Sequence, residues 1–100
     1  MKKFLLTIVT VFALTNISYG CETPNGYRKY DNVQVCFSYH GYDTNYEKRM
    51  LYQSTSNPKK FCLCWADRIF EVIPANKKGR ELGYSYMIWD TTLPIYFNID

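Results

Sequence analysis

The sequence predicts an all-β domain: a small antiparallel sheet curled into a barrel or sandwich, with room for one short helix and two disulfides as staples. Three observations predict it. Short runs of alternating apolar and polar residues recur along the chain, with Gly, Pro, Asn and Asp between them. Four cysteines, Cys21, Cys36, Cys62 and Cys64, all follow an N-terminal segment of export type. Of the 18 aromatic residues, 15 fall in residues 21–100, and nine of these are tyrosines, whose apolar ring and polar tip suit a sheet with one dry and one wet face.

Residues 1–20 have the three parts of a secretory signal: Lys2 and Lys3, an apolar stretch over 4–17, and Ser18-Tyr19-Gly20 before Cys21. The apolar stretch, roughly 14 residues against the ~20 that a transmembrane helix needs, favours cleavage over a permanent anchor. Cleavage before Cys21 leaves a single domain over 21–100, in the periplasm or outside the cell. A chain of that size buries only about 60% of the surface that its unfolded form exposes, so staples are expected.

Within 21–100, residues 21–32 carry Pro24, Asn25-Gly26 and mixed charges and read as an irregular lead-in. Residues 33–39 alternate cleanly and form the first expected strand, followed by a turn over 40–45 around Gly41 and Asp43. Residues 46–52 fit both periods and are read as a strand. A polar loop spans 53–60, and 61–66 and 68–73 are two strands, or one bent near Asp67 and stopped by Pro74. Ala75-Asn76-Lys77-Lys78-Gly79 reads as a hairpin turn, returning as a strand over 81–89. After a turn at 90–92, residues 93–100 alternate again, and Pro94, which cannot donate to a ladder, assigns this strand to an edge.

Four cysteines in a small exported domain allow three pairings. Cys62 and Cys64 flank Leu63 in a strand, where alternate Cα atoms lie about 6.5–7 Å apart, at the limit for a bridge. Each therefore pairs with Cys21 or Cys36, in one order or the other. Val33, Val35 and Phe37 lie opposite Cys36, and Phe61, Leu63 and Trp65 lie opposite Cys62 and Cys64. The sulfurs are thus expected on the face away from the larger apolar layer.

Without Lys2 and Lys3, 10 basic residues stand against 9 acidic ones, a balance that argues against nucleic acid as a partner. No cofactor and no metal are expected. Cys36, His40, Cys62 and Cys64 could ligate zinc, but Cys-x-Cys in a strand is not the usual knuckle, and disulfides compete for the thiols. His40 is the sole histidine, no nucleophile elbow occurs, and no catalytic residue is assigned. Glu47, Asp67, Glu71, Glu81 and Asp90 could supply a carboxylate pair, and His40, Glu47 and Arg49 a ribonuclease-like set, by residue type alone. The candidate binding residues are the aromatic Tyr84, Tyr86 and Trp89 and the basic Lys77, Lys78 and Arg80.

Pro74, Gly79, Tyr84 and Trp89, in that order within residues 72–97, give about a quarter of the chain a pattern that resembles the C-terminal half of periplasmic lysozyme inhibitors of the small β-barrel type. No residue role is carried over from that resemblance. The reading is a small exported protein that binds another protein or a glycan, of inhibitor or immunity type. Its rivals are a small secreted toxin or hydrolase, and an envelope-anchored lipoprotein modified at Cys21.

Overall fold

The structure, a computed structural model, describes residues 20–100, so all but Gly20 of the expected signal lies outside the described residues. Seven strands and one helix follow in order: β1 (Tyr27–Phe37), β2 (Asn45–Ser54), β3 (Phe61–Trp65), β4 (Arg68–Glu71), β5 (Ile73–Pro74), α1 (Lys77–Glu81), β6 (Tyr86–Asp90) and β7 (Leu93–Phe97). They form one sheet in the order β4-β3-β2-β1-β7-β6-β5, antiparallel throughout and nearly closed into a barrel. No helix among the described residues is long and apolar enough to cross a membrane.

One stretch of chain supplies both edges. Residues 68–72 pair with β3, ending with Val72 N–H donating to Phe61 O at 3.0 Å. Residues 73–75 then pair with β6, ending with Ala75 N–H donating to Ser85 O at 3.0 Å. A strand that changes partner in this way leaves little open edge to recruit another chain. A side-chain clamp completes the closure, because Asp90 at the end of β6 accepts from Trp65 Nε1 at 3.1 Å and from Arg68 at 2.7 Å.

Inside the barrel Val33, Val35, Phe37, Leu51, Leu63, Trp65, Ile88, Ile95 and Phe97 form the main core. The alternation of the strands puts these side chains on one face, and each buried one contributes about 1.5–3 kcal/mol. The cysteines of β1 and β3 lie on the opposite, outer face, as the alternation predicts.

The expectation of two disulfides needs correction. Cys21 is bonded to Cys64, closing a sequence separation of 43, while Cys36 and Cys62 are buried free thiols. Register explains why. Cys36 pairs with Tyr46 and Cys62 pairs with Tyr52, so about six residues of β2, roughly 20 Å, separate the two rows. A bridge needs Cα atoms within about 7 Å.

Element assignments also change, and the strand expected over 81–89 begins only at Tyr86, after α1. β1 begins at Tyr27, inside the expected lead-in, because Tyr27 N–H closes a turn on Pro24 O at 3.0 Å and a register shift between Lys29 and Asp31 lets the charged stretch join the ladder. Residues 75–79 are not a hairpin turn. Asn76 caps α1 by accepting from Gly79 N–H at 2.9 Å, Leu82 is the C-cap, and Gly83 just beyond it has a left-handed φ of 99°. There Tyr84 N–H donates to Gly79 O and Gly83 N–H to Arg80 O, the paired termination that favours glycine after a helix. Finally, β7 is not an edge strand, since it lies between β1 and β6. Pro94 is tolerated because it falls past the end of β1, where Cys36 pairs with Tyr96.

Candidate binding site

The outer face of β6 and β7 is covered by α1. Ala75, Met87 and Tyr96 form a second, smaller core there, with Tyr84 packed against it. Gly79 makes this close approach feasible, because a Cβ at that position would sit 2.4 Å from Tyr96 Cε1. The Tyr96 hydroxyl donates to Asn76 Oδ1 at 2.9 Å, the same atom that caps the helix. Helix, cap and ring therefore hold one another in place.

Beside α1 the buried Tyr96 becomes the floor of a cleft of about 500 Å³. Lys78 of the helix and its C-cap Leu82 form one wall, the β6–β7 turn with Thr92 and Pro94 another, and the loop of residues 38–44 the third. That loop is organised by one carboxylate. Asp43 Oδ1 accepts from Ser38 Oγ at 3.0 Å and from His40 N–H at 3.1 Å, and Ser38 Oγ in turn accepts from Gly41 N–H at 2.8 Å. Partial desolvation opposes ionisation of Asp43, but the donors from Ser38, His40 and Asn45 prevail and hold its pKa below the ordinary value. With its centre tied down, the loop presents its rings outward: Tyr39 is 62% exposed and Tyr42 87% exposed, and His40 stacks on Tyr42 at 6.1 Å between centroids.

The candidate residues read from sequence are only partly gathered here. Lys78 lines the cleft. Lys77 is an exposed neighbour on α1, and Arg80 turns back to donate to Ala75 O at 2.7 Å. Tyr84 stacks on Tyr96 at 6.1 Å and Tyr86 on Phe97 at 6.2 Å, so both rings are largely engaged in packing. Trp89 is 45% exposed beside its partner Pro94, outside the cleft lining. Sequence reasoning missed Tyr39, Tyr42, Leu82 and Pro94. The available signal was Tyr39-His40-Gly41-Tyr42, three rings in a turn where nothing compels burial.

Each buried free thiol meets a tyrosine. The Tyr27 pKa is pushed up to about 12, first by a hydrogen bond with Cys62 and then by burial. Tyr84 is raised by burial and next by its hydrogen bond with Cys36, with Tyr46 nearby. The residues considered for catalysis do not form a set. Glu47 pairs with Arg49, whose guanidinium lies 5.4 Å over Trp65, while His40 stacks in the loop and Asp90 is committed to Trp65 and Arg68.

No protein-family model, no curated protein and no solved structure matches this chain.

Proposed function

We propose that this chain is an exported binding protein, of inhibitor or immunity type, that holds another protein or a glycan in the cleft between residues 38–44 and α1. The observation that carries this reading is the pair of outward rings, Tyr39 and Tyr42, mounted on a tied loop above a fixed Tyr96 floor. Rigid aromatic rings supply large contact area at small entropic cost, which is why they dominate binding surfaces.

The Cys21–Cys64 bond is the mark of an oxidising compartment, and an export segment over 1–20, cleaved before Cys21, accounts for it. The same bond favours a free protein over the lipoprotein alternative. A lipid thioether would need Cys21 Sγ, the atom already joined to Cys64. The toxin or hydrolase alternative draws less support, because two of its five proposed acids, Glu47 and Asp90, are engaged in ion pairs.

Affinity capture from envelope or host extract, using the oxidised protein recovered from cells that export it, tests the proposal. A specific macromolecule retained by the wild type and lost by the Tyr39→Ala/Tyr42→Ala variant is the expected result. Equal retention by both, or hydrolysis of an added polymer by the purified protein, would refute it.

A further inference from the structure

A second hollow, of about 420 Å³, lies on the outer face of β1 and β2 and shares no lining residue with the cleft. Two departures from a plain strand pair build it. Lys29 stands opposite Tyr52 and Asn32 opposite Met50, so three steps along β1 match two along β2. The extra residue is a bulge at Tyr30, and it turns Lys29 to the face that Asn32 and Lys48 already share. The other departure is the N-terminal stretch. The bond to Cys64, and the Tyr52 hydroxyl donating to Cys21 O at 3.0 Å, hold Cys21 in place as one wall. The charge of the hollow is one-sided. Lys29 and Lys48 line it and no carboxylate does. Among the described residues neither ammonium has an ion pair or a hydrogen bond, and the Asn32 side chain has none either. Arg49, also in the lining, is committed to Glu47, and Asp31 and Asp100 line an adjoining hollow that shares Asn32 and Lys48. Lys29 and Lys48 stand one row to either side of the Asn32–Met50 pair, each about 7 Å along the strands, a span that their long side chains cover.

We infer that this hollow binds a phosphoryl group, as the free ion or as a monoester, held between the Lys29 and Lys48 ammonium groups with the Asn32 amide donating to it. Two ammonium groups that no acid opposes match a dianion, whereas a carboxylate answers only one of them. The three side chains bring donors alone to a group whose oxygens only accept, and the Asn32 amide adds direction to the point charges of the lysines. Cleavage before Cys21, as proposed above, sets a new α-ammonium on the wall of the same hollow, but the inference stands on the two lysines and is independent of the cleft.

The test is a chemical-shift titration of the isotopically labelled, oxidised protein with inorganic phosphate, glycerol 3-phosphate and acetate, each in a constant background of about 0.1 M chloride. Phosphate is expected to shift the amides of Lys29, Asn32 and Lys48 to saturation with a Kd of about 1 mM, and to leave those of Tyr39, Tyr42 and Lys78 in place. Acetate should bind about fivefold more weakly. Lys29→Gln and Lys48→Gln should each weaken phosphate binding about threefold, and the two together further, while unchanged shifts in β3 and β7 report that the fold is kept. Glycerol 3-phosphate bound as tightly as the free ion assigns the site to monoesters, and weaker binding assigns it to the ion itself. Shifts that stay linear beyond about 20 mM phosphate, parity with acetate, or indifference to the double substitution would each overturn the inference. The intact mass of the titrated protein reports cleavage separately, and the cleft reading is tested only by its own capture experiment.

Discussion

Gly79 and Tyr96 show how single residues set the geometry of the cleft. A methyl group at 79 would meet the Tyr96 ring at 2.4 and 2.5 Å, so α1 would have to lift from the sheet. Gly79→Ala is therefore expected to cost about 1–3 kcal/mol of stability in denaturant titration, despite the better helix propensity of alanine. Tyr27 and Tyr84 make a second prediction, in alkali. Their folded pKa values lie above the ordinary tyrosine value, so the folded state holds these protons more tightly than the unfolded state does. Their contribution is complete below the unfolded pKa near ~10 and is lost as pH rises through the folded pKa, about 12 for Tyr27. The denaturation midpoint should fall over that window, and Tyr27→Phe should flatten the fall; an unchanged pH profile in the variant would disprove the assignment. At this scale the outward face of Cys36, Cys62 and Cys64 was legible, because alternation alone determines it. The pairing was not, because it depends on register along β2, which no local pattern carries.

Among the elements, the strands β3, β4 and β7 could be read from alternation and their bounding turns, since local pattern and final structure agree there, whereas the pattern of β2 fitted both a helix and a strand. Helix α1 could not, because Asn-Lys-Lys-Gly invites a hairpin, and the deciding signals, the Asn76 cap and the left-handed Gly83, are separated by the whole helix. Asn76→Ala removes an acceptor shared by the cap and Tyr96, and a loss of about 1 kcal/mol or more is expected, measured by thermal unfolding. The β3–β4 and β6–β7 hairpins depend on Asp90 in a similar way. Asp90→Ala strands the indole N–H of Trp65, a residue only 3% exposed, and should cost about 1–3 kcal/mol. The cleft escaped sequence reading because it is assembled from three elements far apart in the chain, and of its lining only Lys78 had been named as a candidate binding residue.

For the molecule as a whole, two covalent facts hold the design together: one stretch, residues 68–75, lies on both edges of the sheet, and one bond joins Cys21 to Cys64. Reduction of that bond should lower stability by about 2–4 kcal/mol, mostly by freeing the unfolded chain. Cys36→Ala should leave the bond intact, as peptide mapping without reduction would report; a new partner for Cys21 in that variant would contradict the pairing. A small barrel closed in this way is a rigid mount, and the rings of residues 38–44 are what it presents. Hydrogen–deuterium exchange of the protein with and without its captured partner tests that claim most directly. Protection confined to residues 38–44 and 77–82 is the predicted result. Protection centred instead on the outer faces of β1 and β2, with the cleft unaffected, would contradict it.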